Sequence, residues 1–226
     1  MNKEIELKEG SDLSNSSTKH SIATRVIGHF LSYVFHPLFI PLYTVFFLVY
    51  IHPYLFSGED AWSKLRLLLQ VFVNCTLLPL ASVLLLKGLK FIDSIFLHTQ
   101  KERIIPFVIC MVFYFWNWYA FKNNLEGVEL VVFSLALFIS SIVGFLFNIF
   151  SKISMHAMAV GVLCSFMAVL FFSDSSIGII WFLLSILITG LVLSARLIVS
   201  THQPKEIFTG LVVGIISLLV ANYFAN

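Results

Sequence analysis

This sequence is dominated by seven runs of mostly apolar residues. Each run is long enough, or nearly long enough, to cross a bilayer. They cover approximately residues 32–52, 66–87, 105–121, 128–150, 155–173, 177–195 and 207–224. A helix of about 20 residues crosses a hydrocarbon core about 30 Å thick, and helices satisfy all their backbone hydrogen bonds inside lipid. The runs therefore predict an all-α fold, a polytopic transmembrane helical bundle of six or seven spans.

The first run is the least regular of the seven. Pro37 and Pro41 interrupt it and His36 lies inside it, so we expect a kinked or re-entrant segment there. Residues 1–26 are polar and mixed in charge, and no small-residue cleavage site follows them. They predict a disordered or surface-lying tail rather than a cleaved signal peptide, followed by one transmembrane domain, residues 27–226.

Composition excludes several classes of protein. The chain is 59% hydrophobic and 12% charged, whereas soluble domains carry roughly 25% charged residues. A net charge of +2, with its cations scattered, does not indicate a nucleic-acid surface. Cys75, Cys110 and Cys164 each lie in an apolar run without a second ligand type at metal spacing. We therefore expect no disulfide framework, no metal site and no cofactor.

Charged residues become rare in the second half of the chain and gather beside two histidines. From residue 131 onward the Asp, Glu, Lys and Arg residues are Lys152, Asp174, Arg196, Lys205 and Glu206. Four of these five flank His156 or His202. Because a charge at membrane depth is costly and is retained where it has a function, the clusters indicate a functional site. Interfacial anchoring of the helix ends is the simpler interpretation of Lys152 and Arg196.

One of these clusters lies in a segment that resembles a family signature. Residues 194–210 resemble the third signature of the type 2 phosphatidic acid phosphatase superfamily of membrane phosphatases, Ser-Arg-x5-His-x3-Asp with glycines following. Arg196, His202 and Gly210 are in register, and Glu206 stands where the family has Asp. The resemblance implies a helical membrane fold and a phosphatase activity that requires no metal.

Two earlier segments resemble the other signatures of that family. Residues 153–156 resemble Pro-Ser-Gly-His and keep Ser154 and His156. Residues 100–106 lie where the signature Lys-x6-Arg-Pro is expected, although the register fails because His98 takes the strict place of the Lys. Lys101 and Arg103 are the cations that this segment offers for phosphate. The resemblance covers about residues 98–214, and the odd and even order of the spans predicts that all three segments share one membrane face.

The resemblance also implies a role for each residue. His202 attacks phosphorus to form a phosphohistidine, His156 protonates the departing alkoxide and then activates water, and Glu206 orients His202. The phosphate-binding candidates are Arg196, Ser154, Lys101 and Arg103. The residue types suit this chemistry on their own terms, because phosphoryl transfer needs a nucleophile, an acid and a cationic cradle, and the Arg fork holds two phosphate oxygens.

Departures from the signatures keep a second interpretation open. Met155 replaces a Gly, Ile153 a Pro and Ala195 a Ser, and Glu206 is one methylene longer than Asp. The alternative is a catalytically inactive relative that binds phospholipid headgroups or scaffolds protein partners. An intramembrane metalloprotease is disfavoured because HExxH is absent, and a transporter because no inverted repeat is evident.

The sequence thus predicts an integral membrane lipid-phosphate phosphatase that hydrolyses a phosphomonoester or diphosphate headgroup. Candidate substrates are phosphatidic acid, a phosphatidylglycerol phosphate or an isoprenyl diphosphate, because an amphiphile uses both a phosphate site and the walls of the spans. We expect a multi-pass protein of the cell membrane, the inner membrane if the chain is bacterial. Lys and Arg are more numerous on the motif face than opposite it, which predicts that the motifs face the cytoplasm.

Overall fold

The computed structural model describes residues 21–92, 94, 100–174, 176–200 and 202–225, and within these residues all regular structure is helical. The elements are α1 Ile22–Val34, α2 Ile40–Phe46 continued by a π-helical turn Phe47–Ile51, α3 Ala61–Gly88, α4 Ile104–Asn123, α5 Val128–Phe150, α6 Met155–Ser173, α7 Ile179–Val199 and α8 Pro204–Ala225. Helix α3 contains a π-helical stretch, Phe72–Leu77. The predicted all-α class is confirmed.

Six of these helices, α3 to α8, are long and apolar enough to cross a membrane. They are 19 to 28 residues long, and the mean hydropathy of their most apolar windows lies between 1.7 and 2.6. Many large apolar side chains on their outer faces are exposed, as expected of helices whose solvent is lipid. The predicted polytopic helical membrane protein is confirmed, with six long spans.

The first apolar run is broken, as Pro37 and Pro41 predict. Helix α1 ends at Val34, the chain turns, and α2 begins at Ile40 with Pro41 in its first turn, where the missing proline N–H has no helical partner to lose. The 12 residues of Ile40–Ile51 are fewer than a span requires. By helix length, this run is therefore not one of the six long spans.

The broken run nevertheless follows α6 from end to end. At one end the rings of His36 and His156 have centroids 5.2 Å apart. At the other end the Nε2 atom of His52 lies 3.2 Å from a carboxylate oxygen of Asp174. Because His156 is in the first turn of α6 and Asp174 directly follows its last, the run extends along the whole length of α6. One face of α2 is buried, while Tyr43 and Phe46 are exposed.

Helix α1 begins within the segment predicted to be a polar tail. The Ser21 hydroxyl caps it by accepting a hydrogen bond from the backbone N–H of Thr24 at 3.2 Å. Residues 22–26 are therefore helical, and residues 1–20 lie outside the described part of the chain. One face of α1 packs against α7 at Gly28, where an added Cβ would lie 2.6 Å from the Val199 side chain.

Helices α6 and α8 cross with their backbones in contact. A Cβ added at Gly214 would lie 2.2 Å from the Met158 carbonyl oxygen, and one added at Gly161 would lie 2.5 Å from the Leu211 carbonyl oxygen. Small residues permit this approach, and in lipid, van der Waals contact of this kind is a main source of helix association. The crossing brings the start of α8 against the start of α6.

Three loops meet on one face of the bundle, as the order of the spans predicts. They are the residues before α4, the link between α5 and α6, and the link between α7 and α8. An Arg103 guanidinium N–H donates to the Ile153 carbonyl at 3.0 Å, and the Ser154 backbone N–H donates to the Glu206 carbonyl at 3.3 Å. These contacts join the three predicted motif segments, so we call this end of the bundle the motif face.

Candidate functional site

A histidine and a carboxylate form a close pair at the start of α8. The Nδ1 atom of His202 lies 2.7 Å from Oε2 of Glu206, and the two side chains are only 4% and 14% exposed. His202 precedes α8 by two residues and Glu206 lies in its first turn, so both can face one side. A carboxylate only accepts, so the proton of neutral His202 is on Nδ1 and the lone pair is on Nε2.

Burial lowers the pKa of His202 below its ordinary value. The guanidinium groups of Arg103 and Arg196 lower the pKa further, whereas the hydrogen bond to Glu206 raises it without restoring the usual value. His202 is therefore mainly neutral at pH 7. A neutral imidazole with a free Nε2 lone pair is the form that can act as a nucleophile.

Arg103 lies at the centre of the site rather than on its rim. It immediately precedes α4 and is 6% exposed, and its contact with the Ile153 carbonyl ties it to the segment that resembles Pro-Ser-Gly-His. A reciprocal amide pair steadies the loop before it. The Asn148 side chain donates to the Gln100 carbonyl at 2.9 Å, and the Gln100 side chain donates to the Asn148 carbonyl.

Arg196 is a cation without a partner among the described residues. It lies in the last turn of α7, its Nε atom is buried, and its guanidinium forms no hydrogen bond or ion pair with any residue that the structure describes. It is close enough to Arg103 for the two guanidiniums to repel each other. The guanidinium of Arg196 makes this part of the site suited to an anion, because a partly buried cation is stabilised by an opposite charge.

Ser154 and its neighbours form the start of α6. The Ser154 hydroxyl is completely buried and accepts a hydrogen bond from the Ala157 backbone N–H at 3.4 Å, so it caps the helix. The helix amino terminus points its positive end toward the site. The capping role of Ser154 is observed, while its role in binding phosphate stays a prediction.

His156 is held by residues from α1 and from the turn that follows α1. Its Nε2 atom lies 3.1 Å from the carbonyl oxygen of Ser32, the last buried residue of α1. The ring of His36 stands edge-on to it, with an interplanar angle of 81°. Burial, and then the charge of Arg196, lowers the pKa of His36 to about 4, so His36 is neutral at pH 7.

The structure thus brings together most of the predicted site residues. Those at the meeting point of α4, α6, α7 and α8 are Arg103, Ser154, His156, Arg196, His202 and Glu206. Lys101 is exposed two residues before Arg103, and His98 lies outside the described residues. Ser32 and His36 also belong to the site, and the only sign of this in the sequence is a histidine inside an apolar run.

Metal chemistry has no evident set of ligands in the described part of the chain. No group of three or more His, Cys, Asp or Glu side chains is placed there to hold an ion. Cys75, Cys110 and Cys164 are free thiols. The chemical groups of the site are the imidazoles of His36, His156 and His202, the carboxylate of Glu206, and the guanidiniums of Arg103 and Arg196.

Comparison with known proteins assigns no family to the chain. No family model, no curated protein and no solved structure matches it at a significant level. The functional argument therefore rests on the residues of the motif face and their geometry.

Proposed function

We propose that this protein is a membrane-embedded lipid-phosphate phosphatase, a divergent member of the type 2 phosphatidic acid phosphatase superfamily. The observation that carries the proposal is the guanidinium of Arg196, which lacks a partner among the described residues and lies with Arg103 beside a histidine held by Glu206. A phosphate group supplies negative charge and acceptor oxygens to the guanidinium of Arg196.

In the proposed reaction, Nε2 of His202 forms a bond to phosphorus as the bond from phosphorus to the lipid oxygen breaks. The departing alkoxide takes a proton from His156. Water then attacks phosphorus and gives its proton to His156, the N–P bond breaks, and inorganic phosphate leaves. Glu206 stabilises the positive charge that forms on His202, and Arg103 and Arg196 stabilise the equatorial phosphate oxygens.

The position of the site favours a lipid substrate. The motif face lies where long apolar helices end, and the ends of membrane-spanning helices lie near the lipid headgroups. An apolar groove of about 480 Å³ runs between α5 and α8 and is lined by residues that include Val143, Val212 and Val213. Val143 and Val213 pack on the cluster of Phe107 and Ile153, and Arg103 donates to the carbonyl of that Ile153. A headgroup on the cations can therefore leave a hydrocarbon chain in the groove.

One observation favours a second candidate, a catalytically inactive protein that binds phospholipid headgroups. The Nε2 atom of His156 is engaged with the Ser32 carbonyl, and Met155 replaces the Gly of the resembling signature. A protein of this kind retains the anion site formed by Arg103 and Arg196 but releases no phosphate. Binding and turnover measured on the same preparation distinguish the two functions.

The test is phosphate release from purified protein in the presence of EDTA, with phosphatidic acid, a phosphatidylglycerol phosphate and an isoprenyl diphosphate as substrates. Release should fall to background in His202→Ala and persist in His52→Ala, a control that also removes a buried histidine paired with a carboxylate, but at the opposite end of α6. Lipid binding without release by the wild-type protein would favour the inactive candidate. Restoration of an EDTA-abolished activity by Mg²⁺ would contradict the metal-independent mechanism.

A further inference from the structure

The turn between α1 and α2 forms a wall of the site that no signature includes. We call the segment from Ser32 to His36 the N-terminal elbow. We infer that the elbow holds His156 with a proton fixed on Nε2, so that His156 exchanges protons with the substrate and water through Nδ1. The catalytic half of this inference rests on the proposed function, whereas the tautomer does not.

The tautomer follows from the partner of the ring. The Ser32 carbonyl oxygen can only accept, and it lies 3.1 Å from Nε2 of His156, so Nε2 must be the donor. A neutral imidazole has one N–H, which leaves the lone pair on Nδ1. When His156 takes up a second proton, that proton is on Nδ1, because the Nε2–H bond to Ser32 is kept.

This assignment gives a balanced proton path for both halves of the reaction. Resting His156 is neutral, so Nδ1 first takes the proton of the monoanionic phosphate group as the substrate binds, and His156 enters the first half as an imidazolium. In the first half the Nδ1–H bond breaks and the proton goes to the oxygen of the leaving alcohol. In the second half Nδ1 accepts a proton from water while the water oxygen bonds to phosphorus. One proton has then moved from water to the alcohol, and the hydrogen bond from Nε2–H to the Ser32 carbonyl has been kept throughout.

His36 is a positioning residue in this arrangement. Its ring stands edge-on against His156 at 5.2 Å, and its Nδ1 accepts the Leu38 backbone N–H at 3.3 Å, which fixes its own orientation. A rotation of the His156 ring away from Ser32 would require His36 to move. The His36 ring therefore restricts His156 to the orientation in which Nδ1 is the reactive nitrogen.

The elbow is itself fixed by the contact of α1 with α7. Gly28 lies against Ala195 and Val199, in the same turns of α7 that carry Arg196, and Ser32 is buried one turn further along α1. The exposed apolar side chains of α1, which include Val26 and Phe30, are on its other side. The position of the Ser32 carbonyl thus depends on the absence of a Cβ at Gly28.

The tautomer is tested directly by ¹⁵N NMR of the protein with ring-labelled histidine, with His156→Gln used for assignment. At neutral pH His156 should have a protonated Nε2 and an unprotonated Nδ1, and His36→Phe, which keeps a ring against His156, should preserve this pattern. His36→Ala should give a mixture of tautomers. A predominantly Nδ1-protonated ring in the wild-type protein would overturn the inference whatever the activity.

Kinetics test the catalytic half. His36→Ala should slow release of poor leaving groups about 10- to 100-fold, because a misoriented donor matters most there, with good leaving groups nearly unaffected and His36→Phe restoring most of the loss. His29→Ala, an exposed histidine of α1, is the control and should match the wild type. Equal slowing with good and poor leaving groups would refute a role through His156. The expected tautomer with no phosphate release from any lipid would refute the proposed function and leave the tautomer assignment supported.

Discussion

Glu206 accepts a hydrogen bond from Nδ1 of His202 at 2.7 Å, although the signature that this segment resembles has Asp at that position. The longer side chain is accommodated because His202 lies outside α8, two residues before its first residue, Pro204. Oε2 of Glu206 also accepts from the Gln203 backbone N–H at 3.3 Å. The replacement of Asp by Glu therefore preserves the contact that orients the histidine.

Two substitutions of Glu206 should separate the effect of its negative charge from the effect of its hydrogen bond to His202. In Glu206→Gln the side-chain oxygen can still accept from Nδ1 of His202, but the negative charge that stabilises a phosphorylated ring is gone, so phosphate release should fall about 100-fold or more. Glu206→Asp should fall less, about tenfold, because the charge remains while the contact lengthens. Initial rates at saturating lipid measure both effects. Glu126→Gln, in an ion pair with Arg66 remote from the site, should retain activity, and an equal loss there would contradict the assignment.

The acid limb of the pH profile should report His202. Burial and the two arginines lower the pKa of His202 below the usual 6.5. The neutral nucleophile therefore persists at lower pH, and kcat/KM should stay high at pH values below 6.5 until the lowered pKa of His202 is reached. The hydrogen bond to Glu206 raises the pKa of His202, so Glu206→Gln should move the acid limb to still lower pH. A shift of the limb to higher pH in that variant would contradict the assignment.

The spans were predictable because each is a long apolar segment with polar ends, and the shared face of the motifs followed from counting crossings. The helix α1 was not predicted, because its residues 22–26 follow a polar segment and its stability comes from packing on α7 at Gly28. The same limit applies to the site. Ser32 and His156 are 124 residues apart in the sequence, and the packing of α1 on α7, together with the path of α2 along α6, brings them together.

The sequence alone does not distinguish Lys101 from Arg103 as the cation of the site. The two residues lie two positions apart in a segment whose register with the signature fails, and residue type does not decide which one faces the site. The structure buries Arg103 against the Ile153 carbonyl and exposes Lys101. The phosphate-binding role of either residue stays a prediction, with Arg103 the better placed.

The crossing of α6 and α8 should be intolerant of added volume. In Gly214→Ala the new Cβ would lie 2.2 Å from the Met158 carbonyl oxygen, so the two helices must separate. We expect a loss of about 1–3 kcal/mol in the free energy of unfolding. Activity should also fall, because His202 moves away from His156. Gly190→Ala is the matched control, because a Cβ there meets nothing within 4 Å. It should be neutral or stabilising by up to about 1 kcal/mol. Thermal unfolding in one detergent measures both, and equal stability of the two variants would contradict the close crossing.

Filling the groove between α5 and α8 should affect long-chain substrates selectively. In Val212→Trp the indole should occupy the groove and raise KM for a long-chain lipid phosphate about tenfold, while a short-chain, water-soluble phosphate monoester that does not reach the groove should be hydrolysed as by the wild type. Ala168→Trp is the matched control, because it fills another apolar groove, among α6, α7 and α8, whose lining includes Ser173 and Phe182 at the end remote from the motif face. KM values for both substrates in both variants make the comparison. An unchanged KM for the long-chain lipid in Val212→Trp, or an equal rise in Ala168→Trp, would show that the hydrocarbon chain lies elsewhere.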